Sequence, residues 1–238
     1  MPVMVVTGAS AGIGRAVAEM ALAQGWQVAC LARRAGPLAE VAAQGDGLAL
    51  PCDVSDPAAV DAGFAAIVAR FGRIDVLFNN AGMFPPAALP DELALEDWNA
   101  CVAVNLTGMF LCARAAFGQM RRQDPQGGRI INNGSISGQV PRPRSLAYTT
   151  TKHAINGMTK QLALDGRGFG IAAGQIDVGN AATGLLAGID GKATQGAEPV
   201  MEVADVARSV LHMASLPPGA NVLQMTVMAT EMPFVGRG

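Results

Sequence analysis

Apolar residues in this chain gather in short unbroken runs, at 3–6, 26–31, 47–50, 74–79, 129–133, 171–176 and 222–228. Runs of this length, bounded by turn residues, predict buried strands. Between them apolar residues recur at helical spacing near 13–24, 57–71, 97–122, 147–166 and 203–214. Uninterrupted apolar strands alternating with amphipathic helices predict an α/β fold: a single doubly wound parallel sheet, helices on both faces, right-handed crossovers. There is no internal repeat, and the Pro/Gly-rich pieces at 124–128 and 217–220 are short enough to be loops, so residues 1–238 are expected to form one domain. In such sheets ligands collect beyond the carboxyl ends of the strands. Residues 8–14, 79–82, 135 and 177–183 all follow predicted strands and should meet at one edge.

The first strand, Val3-Met4-Val5-Val6, runs straight into Thr7-Gly8-Ala9-Ser10-Ala11-Gly12-Ile13-Gly14 and then into helical spacing at Val17, Met20 and Ala21. Strand, glycine turn and helix in that order form the start of a nucleotide-binding unit, here spaced G-x-x-x-G-x-G. Backbone without Cβ lets a pyrophosphate approach, and the helix N-terminus offers unpaired N–H groups to it.

Tyr148, the only tyrosine, stands four residues before Lys152 and thirteen after Ser135. On a helix the phenol and the ammonium share a face. A nearby cation favours phenolate, so the Tyr148 pKa is expected below its usual value of about 10, closer to the range of a general acid–base. Ser135 could hydrogen-bond a substrate oxygen as charge develops on it; Ser137 is the rival hydroxyl.

Taken together the motifs resemble the short-chain dehydrogenase/reductase family over essentially the whole chain. Thr7 to Gly14, Cys52-Asp53-Val54, Asn79-Asn80-Ala81-Gly82, Asn105 in V-N-L-T-G, Ser135, then Tyr148 and Lys152 appear in family order. The resemblance implies a Rossmann-like fold and an oxidoreductase interconverting a small ketone and a secondary alcohol, with NADP favoured and NAD as the alternative cofactor. It implies a catalytic set of Asn105, Ser135, Tyr148 and Lys152. Tyr148 would carry the proton, Lys152 would bind the nicotinamide ribose, and Asn105 would hold a proton-relaying water. Cofactor contacts would come from Gly8, Ser10, Gly12, Ile13, Gly14, Arg33, Asp53, Val54, Asn79, Ala81, Gly82, Tyr148 and Lys152, with Val178 and Thr183 at the carboxamide. The position that carries an acid in NAD-using relatives is Ala32, and Arg33 follows it, suited to a 2′-phosphate unless Arg33 and Arg34 merely solvate a loop. Asp53 would bond the adenine amino group; the cap of the helix near Pro57 falls better to Ser55 or Asp56. A non-catalytic dinucleotide-binding regulator is the competing reading.

The chain departs from the family where Val178-Gly179 replaces Pro-Gly and where the ending, from Met225 to Gly238, is apolar rather than glycine-rich. Such a tail suggests an oligomer contact, a homotetramer or dimer. The short segment between Thr183 and Glu198 suggests an open pocket, and Arg142 or Arg144 of Pro141-Arg142-Pro143-Arg144 could attract an acidic substrate group.

Composition narrows the rest. A net charge of −2 gives no general attraction to nucleic acid or membrane. No leader is expected ahead of Val3 and no apolar stretch approaches a membrane span, so a cytoplasmic protein is expected. Cys30, Cys52, Cys101 and Cys112 lack C-x-x-C pairing and read as reduced core thiols, and His153 and His212 have no ligand-like companions, so no metal is expected.

Overall fold

A computed structural model describes residues 1–183 and 199–235. In chain order its elements are β1 Val3–Thr7, α1 Gly12–Ala23, β2 Gln27–Ala32, α2 Ala35–Ala42, β3 Gly47–Pro51, α3 Pro57–Phe71, β4 Val76–Asn79, α4 Leu95–Val102, α5 Met109–Arg122, β5 Gly128–Asn133, α6 Leu146–Gly166, β6 Ile171–Val178, α7 Val203–Ala214 and β7 Gln224–Val227. A π-helical segment, Ala103–Gly108, joins α4 to α5.

Among the described residues the strands form one parallel sheet in the order β3-β2-β1-β4-β5-β6-β7. Strand order reverses between β1 and β4, so a crevice opens beyond their carboxyl ends. The alternation of β1 shows how both faces are filled. Met4 and Val6 join Val17, Ala21, Leu38, Phe78 and Val210 in a core under α1, α2 and α7. Val5 joins Leu31, Phe64, Leu77, Leu111 and Ile130 in a second core under α3 and α5. Strands buried on both faces explain the unbroken apolar runs.

Several boundaries differ from those read in the sequence. Helix α2 falls where no helix was expected, because Gly36-Pro37 reads as a turn; Pro37 sits in the first helical turn, where a missing N–H is tolerated, and Leu38, Val41 and Ala42 are buried. The helix expected at 97–122 begins at Leu95, and its π segment divides it. By length and composition alone Leu95–Arg122 could cross a membrane. In this fold α5 packs on α3, β4 and β5 while α4 packs on α6, as a core helix of an α/β layer does.

The tail folds back on the turn after β6. A Cβ on Gly179 would meet Met228 Cβ at 2.8 Å and Met232 Sδ at 3.0 Å, and Met232 is buried. The expectations for 184–198 and for the last three residues of the tail lie outside the described residues.

Candidate active site

A cleft of about 600 Å³ opens at the strand ends and is lined by Gly8, Ser10, Gly12 and Ile13 at one end and by Tyr148 and Lys152 at the other. Gly8 (φ 71°) and Gly12 (φ 53°) occupy the left-handed region, which lets the chain turn from β1 into α1 without strain. A Cβ on Gly14 would lie 2.5 Å from the Gly8 carbonyl oxygen and 2.6 Å from Asn80 Nδ2, so Gly14 closes the turn from behind rather than facing the cleft. The N-cap of α1 is Ala11, which supplies no side-chain acceptor and leaves the first N–H groups of the helix open to an anion.

The floor of the cleft is a polar chain across three strand ends. Thr7 Oγ1 accepts from the backbone amides of Asn80 (2.8 Å) and Ala81 (2.9 Å), and Asn80 Nδ2 donates to the Thr7 carbonyl at 2.9 Å. Asn133 Nδ2 donates to Asn80 Oδ1 at 2.8 Å, and the Asn133 carbonyl accepts from Lys152 Nζ at 2.7 Å. Asn133 Oδ1 is buried with no protein partner, an acceptor left over beside the cleft. Asn79, expected to contact cofactor, points away instead: its side chain is buried and donates to the Met109 carbonyl at 2.7 Å, and Asn80 takes the cleft wall. Consecutive strand residues face opposite ways, so the choice between these two amides turns on one residue of register.

Ala32, Arg33, Arg34, Asp53 and Val54 line the far end. Arg34 reaches back to donate to Ser10 Oγ at 3.1 Å, which brings a second guanidinium to this rim. Asp53 accepts from the Ser55 hydroxyl (2.7 Å) and amide (3.0 Å); those bonds, with a contribution from Arg33, hold its carboxyl below the usual range. Asp56, not Asp53, caps α3 by accepting from the Ala58 amide.

Ser135, Tyr148 and Lys152 converge where the cleft meets a smaller cavity of about 90 Å³ lined by Phe84, Ser137, Arg142, Val178, Asn180 and Thr183 among others. Ser135 Oγ accepts from the Ser137 amide at 3.1 Å and lies close enough to the Tyr148 phenol to pull its pKa down, which makes Ser135 the hydroxyl at the phenol. Phe84 stacks on the Tyr148 ring, with centroids 3.8 Å apart and planes 25° apart. Lys152 Nζ lies 5.5 Å from the Tyr148 ring centroid.

The expected lowering of the Tyr148 pKa is reversed. Burial pushes it up to about 12, against a smaller opposing pull from the Ser135 hydrogen bond and the Arg142 charge. Burial likewise brings Lys152 down to about 8, opposed by the charge of Asp177. Desolvation outweighs the pairing inferred from spacing alone.

Asn105 lies in the π segment, a local widening that often marks functional positions. It is fully buried and faces protein rather than the cleft. Its Oδ1 accepts from the Met83 amide at 2.7 Å and its Nδ2 donates to the Met83 carbonyl at 2.9 Å and to Cys101 Sγ at 3.3 Å. The side chain therefore clamps the loop carrying Gly82, Met83 and Phe84. Arg142 lines the small cavity and donates to Asn180 Oδ1 at 2.6 Å, whereas Arg144 is exposed in a left-handed turn (φ 58°) and does not line it. All four cysteines are buried and unpaired, and no cluster suited to a metal occurs among the described residues.

Asn133 and Phe84 were not singled out in the sequence, Asn80 entered only as part of the Asn79-Asn80-Ala81-Gly82 motif, and Arg34 only as a loop residue beside Arg33. Asn133 carried a signal, an amide closing an otherwise apolar strand.

The comparisons agree with this geometry. Residues 2–193 match the family model described as short chain dehydrogenase. A 3beta-hydroxysteroid dehydrogenase of Mediterraneibacter gnavus is 38% identical over 179 residues, covering 73% of this chain and 64% of that protein. The 3-ketoacyl-(acyl-carrier-protein) reductase of Brucella melitensis, solved with NADH, superposes with a TM-score of 0.88 at 26% identity, covering 97% of this chain and 98% of that one. A serine dehydrogenase solved with NADP+ gives a TM-score of 0.87 at 27% identity over 94% of each chain. With its parallel sheet, with Tyr148 and Lys152 at the switch-point cleft and Ser135 in the adjoining cavity, the chain belongs to the short-chain dehydrogenase family.

Proposed function

We propose that this protein is an oxidoreductase that interconverts a small ketone and a secondary alcohol, with NADPH preferred over NADH. The observation that carries the reading is one continuous cleft with an uncapped helix N-terminus and two guanidinium groups at one end and the Ser135–Tyr148–Lys152 cluster at the other. Its dimensions and donors fit a nicotinamide dinucleotide. The amides opening α1 would take the pyrophosphate, Arg33 and Arg34 the 2′-phosphate, Asp53 the adenine, and Lys152 and Asn133 the ribose near the reacting end. A bound nicotinamide dinucleotide would supply or accept the hydride.

Ser135 Oγ, beside Tyr148, would hold the substrate oxygen at the phenol. Tyr148 would give its proton to that oxygen as a carbonyl is reduced and take it back as an alcohol is oxidised. With a pKa raised to about 12, the free enzyme holds Tyr148 protonated, the form that acts as an acid. Phe84 and the turn at Val178 would exclude water from this end. Arg142, fixed by Asn180, lies close enough to influence Tyr148 and would favour substrates bearing a carboxylate near the reacting carbon. Serine, named for one structural neighbour, is such a compound. Buried free thiols suit the cytoplasmic setting and a homo-oligomer remains part of the proposal.

The test is a panel of alcohols and ketones, each acid paired with its methyl ester, assayed with both cofactors on the wild type and on Tyr148→Phe. Turnover lost in Tyr148→Phe with NADPH binding retained is the expected result. Tight NADPH binding with no turnover across the panel would favour the non-catalytic regulator.

A further inference from the structure

Asp177 is fully buried at the end of β6, directly behind Ser135, and its carboxylate receives four N–H donors. Oδ1 accepts from the Ser135 amide at 3.1 Å and from Gln175 Nε2 at 2.5 Å. Oδ2 accepts from Gln139 Nε2 and Gln224 Nε2, both at 2.7 Å. Gly134 leaves the room this needs, since a Cβ there would run into Asp177 Oδ1 and Gln175. Every donor is neutral. Three glutamines could satisfy one another around an amide or a hydroxyl, and a buried anion without a bonded cation is the more expensive centre for such a knot. A carboxylate in that place is explained if its charge is used.

Its field falls on the reacting pair. The charged or titratable groups acting on Lys152 are Asp177 from β6 and Cys101 from α4; those acting on Tyr148 are Arg142, Cys101 and Asp177. Asp177 favours the charged form of Lys152 and the neutral form of Tyr148, and its bond to the Ser135 amide fixes the third member.

We propose that Asp177 is a positioning residue and buried counter-charge for the Ser135–Tyr148–Lys152 cluster, holding the ammonium charged and the phenol protonated while it orients the serine. The inference rests on Tyr148 as proton carrier. It gives the three glutamines a purpose: they spread the carboxylate's charge without neutralising it, so the field reaches the cluster.

Tyr148 is the only tyrosine, so tyrosinate difference absorbance after rapid pH jumps follows it alone. The proteins are wild type, Asp177→Asn and Asp177→Ser, with and without NADP+; the serine variant leaves room for water if the asparagine variant packs poorly. Removing the anion should lower the Tyr148 pKa in both variants. In the alcohol panel the pH–rate profile should move to lower pH, because both Tyr148 and Lys152 lose an anion that raises their pKa values. A role confined to packing would lower the melting temperature and leave the titration in place. An unchanged or raised tyrosinate pKa in a folded variant would overturn the proposal, as would failure of both variants to fold, which would make Asp177 a determinant of the fold alone. Absent turnover in the wild type would fail the dehydrogenase reading and leave the titration result standing.

Discussion

Replacing Lys152 by Met should make the fold less sensitive to pH and expose the strain of keeping an ammonium in the core. Lys152 is almost fully buried, and its pKa falls from 10.5 to about 8. At about 1.4 kcal/mol per unit, the shift means that the protonated side chain weakens the folded state by about 3 kcal/mol at neutral pH. Between the two pKa values the unfolded chain binds the proton and the folded chain does not, so stability rises with pH in that window. From about pH 7 to about pH 9.5 the wild type should gain about 2 kcal/mol relative to Lys152→Met. Constant differences between the proteins, including loss of the 2.7 Å bond from Lys152 to the Asn133 carbonyl, cancel in that slope. Urea unfolding followed by the fluorescence of Trp26 and Trp98 at several pH values gives the measurement. Parallel pH dependences, or a wild type that loses ground as pH rises, would refute the reasoning.

Arg33→Asp should weaken NADPH at least about tenfold more than NADH, because it exchanges a cation for a repelling anion; equal losses in paired dissociation constants would reject the assignment. Gly14→Ala must move the Gly8 carbonyl or Asn80, each under 2.7 Å from the new Cβ, so a loss of about 2 kcal/mol and a melting temperature lower by about 6 °C are expected, with weaker NADPH binding. Asn105→Leu strips both bonds from the Met83 backbone and should cost about 3 kcal/mol and lower kcat more than it weakens cofactor binding, as urea titration and steady-state kinetics would show. Arg142→Gln should raise KM for carboxylate substrates about tenfold and leave their methyl esters unchanged; an equal effect on both would point to a folding defect.

The strands, the glycine turn and the Ser135–Tyr148–Lys152 spacing were legible because each is written in adjacent or helically spaced residues. What escaped depends on side chains meeting across the fold. Asn79 and Asn80 are both polar at a strand end, and only the register of β4 decides that Asn80 faces the cleft. Helix α2 hides behind Gly36-Pro37, where local turn preference yields to the burial of Leu38 and Val41. The sign of the Tyr148 shift was missed for the same kind of reason: the sequence shows Lys152 four residues on, but not the Phe84 ring stacked on the phenol or the burial that dominates its titration. Asp177 stood in a segment marked for the cofactor edge, yet its glutamine donors come from positions 139, 175 and 224, which no local pattern connects.

The crowding around Gly134 also bears on how this sequence can change over generations. Any side chain there collides with the Asp177 carboxylate and with Gln175, so glycine at 134 and aspartate at 177 constrain each other. A lineage that acquires serine or alanine at 134 must move or lose the aspartate, and the three glutamines then surround an altered centre. These five positions should therefore be inherited as a block, and relatives should divide into chains that keep the whole set and chains that have replaced it with few intermediates between.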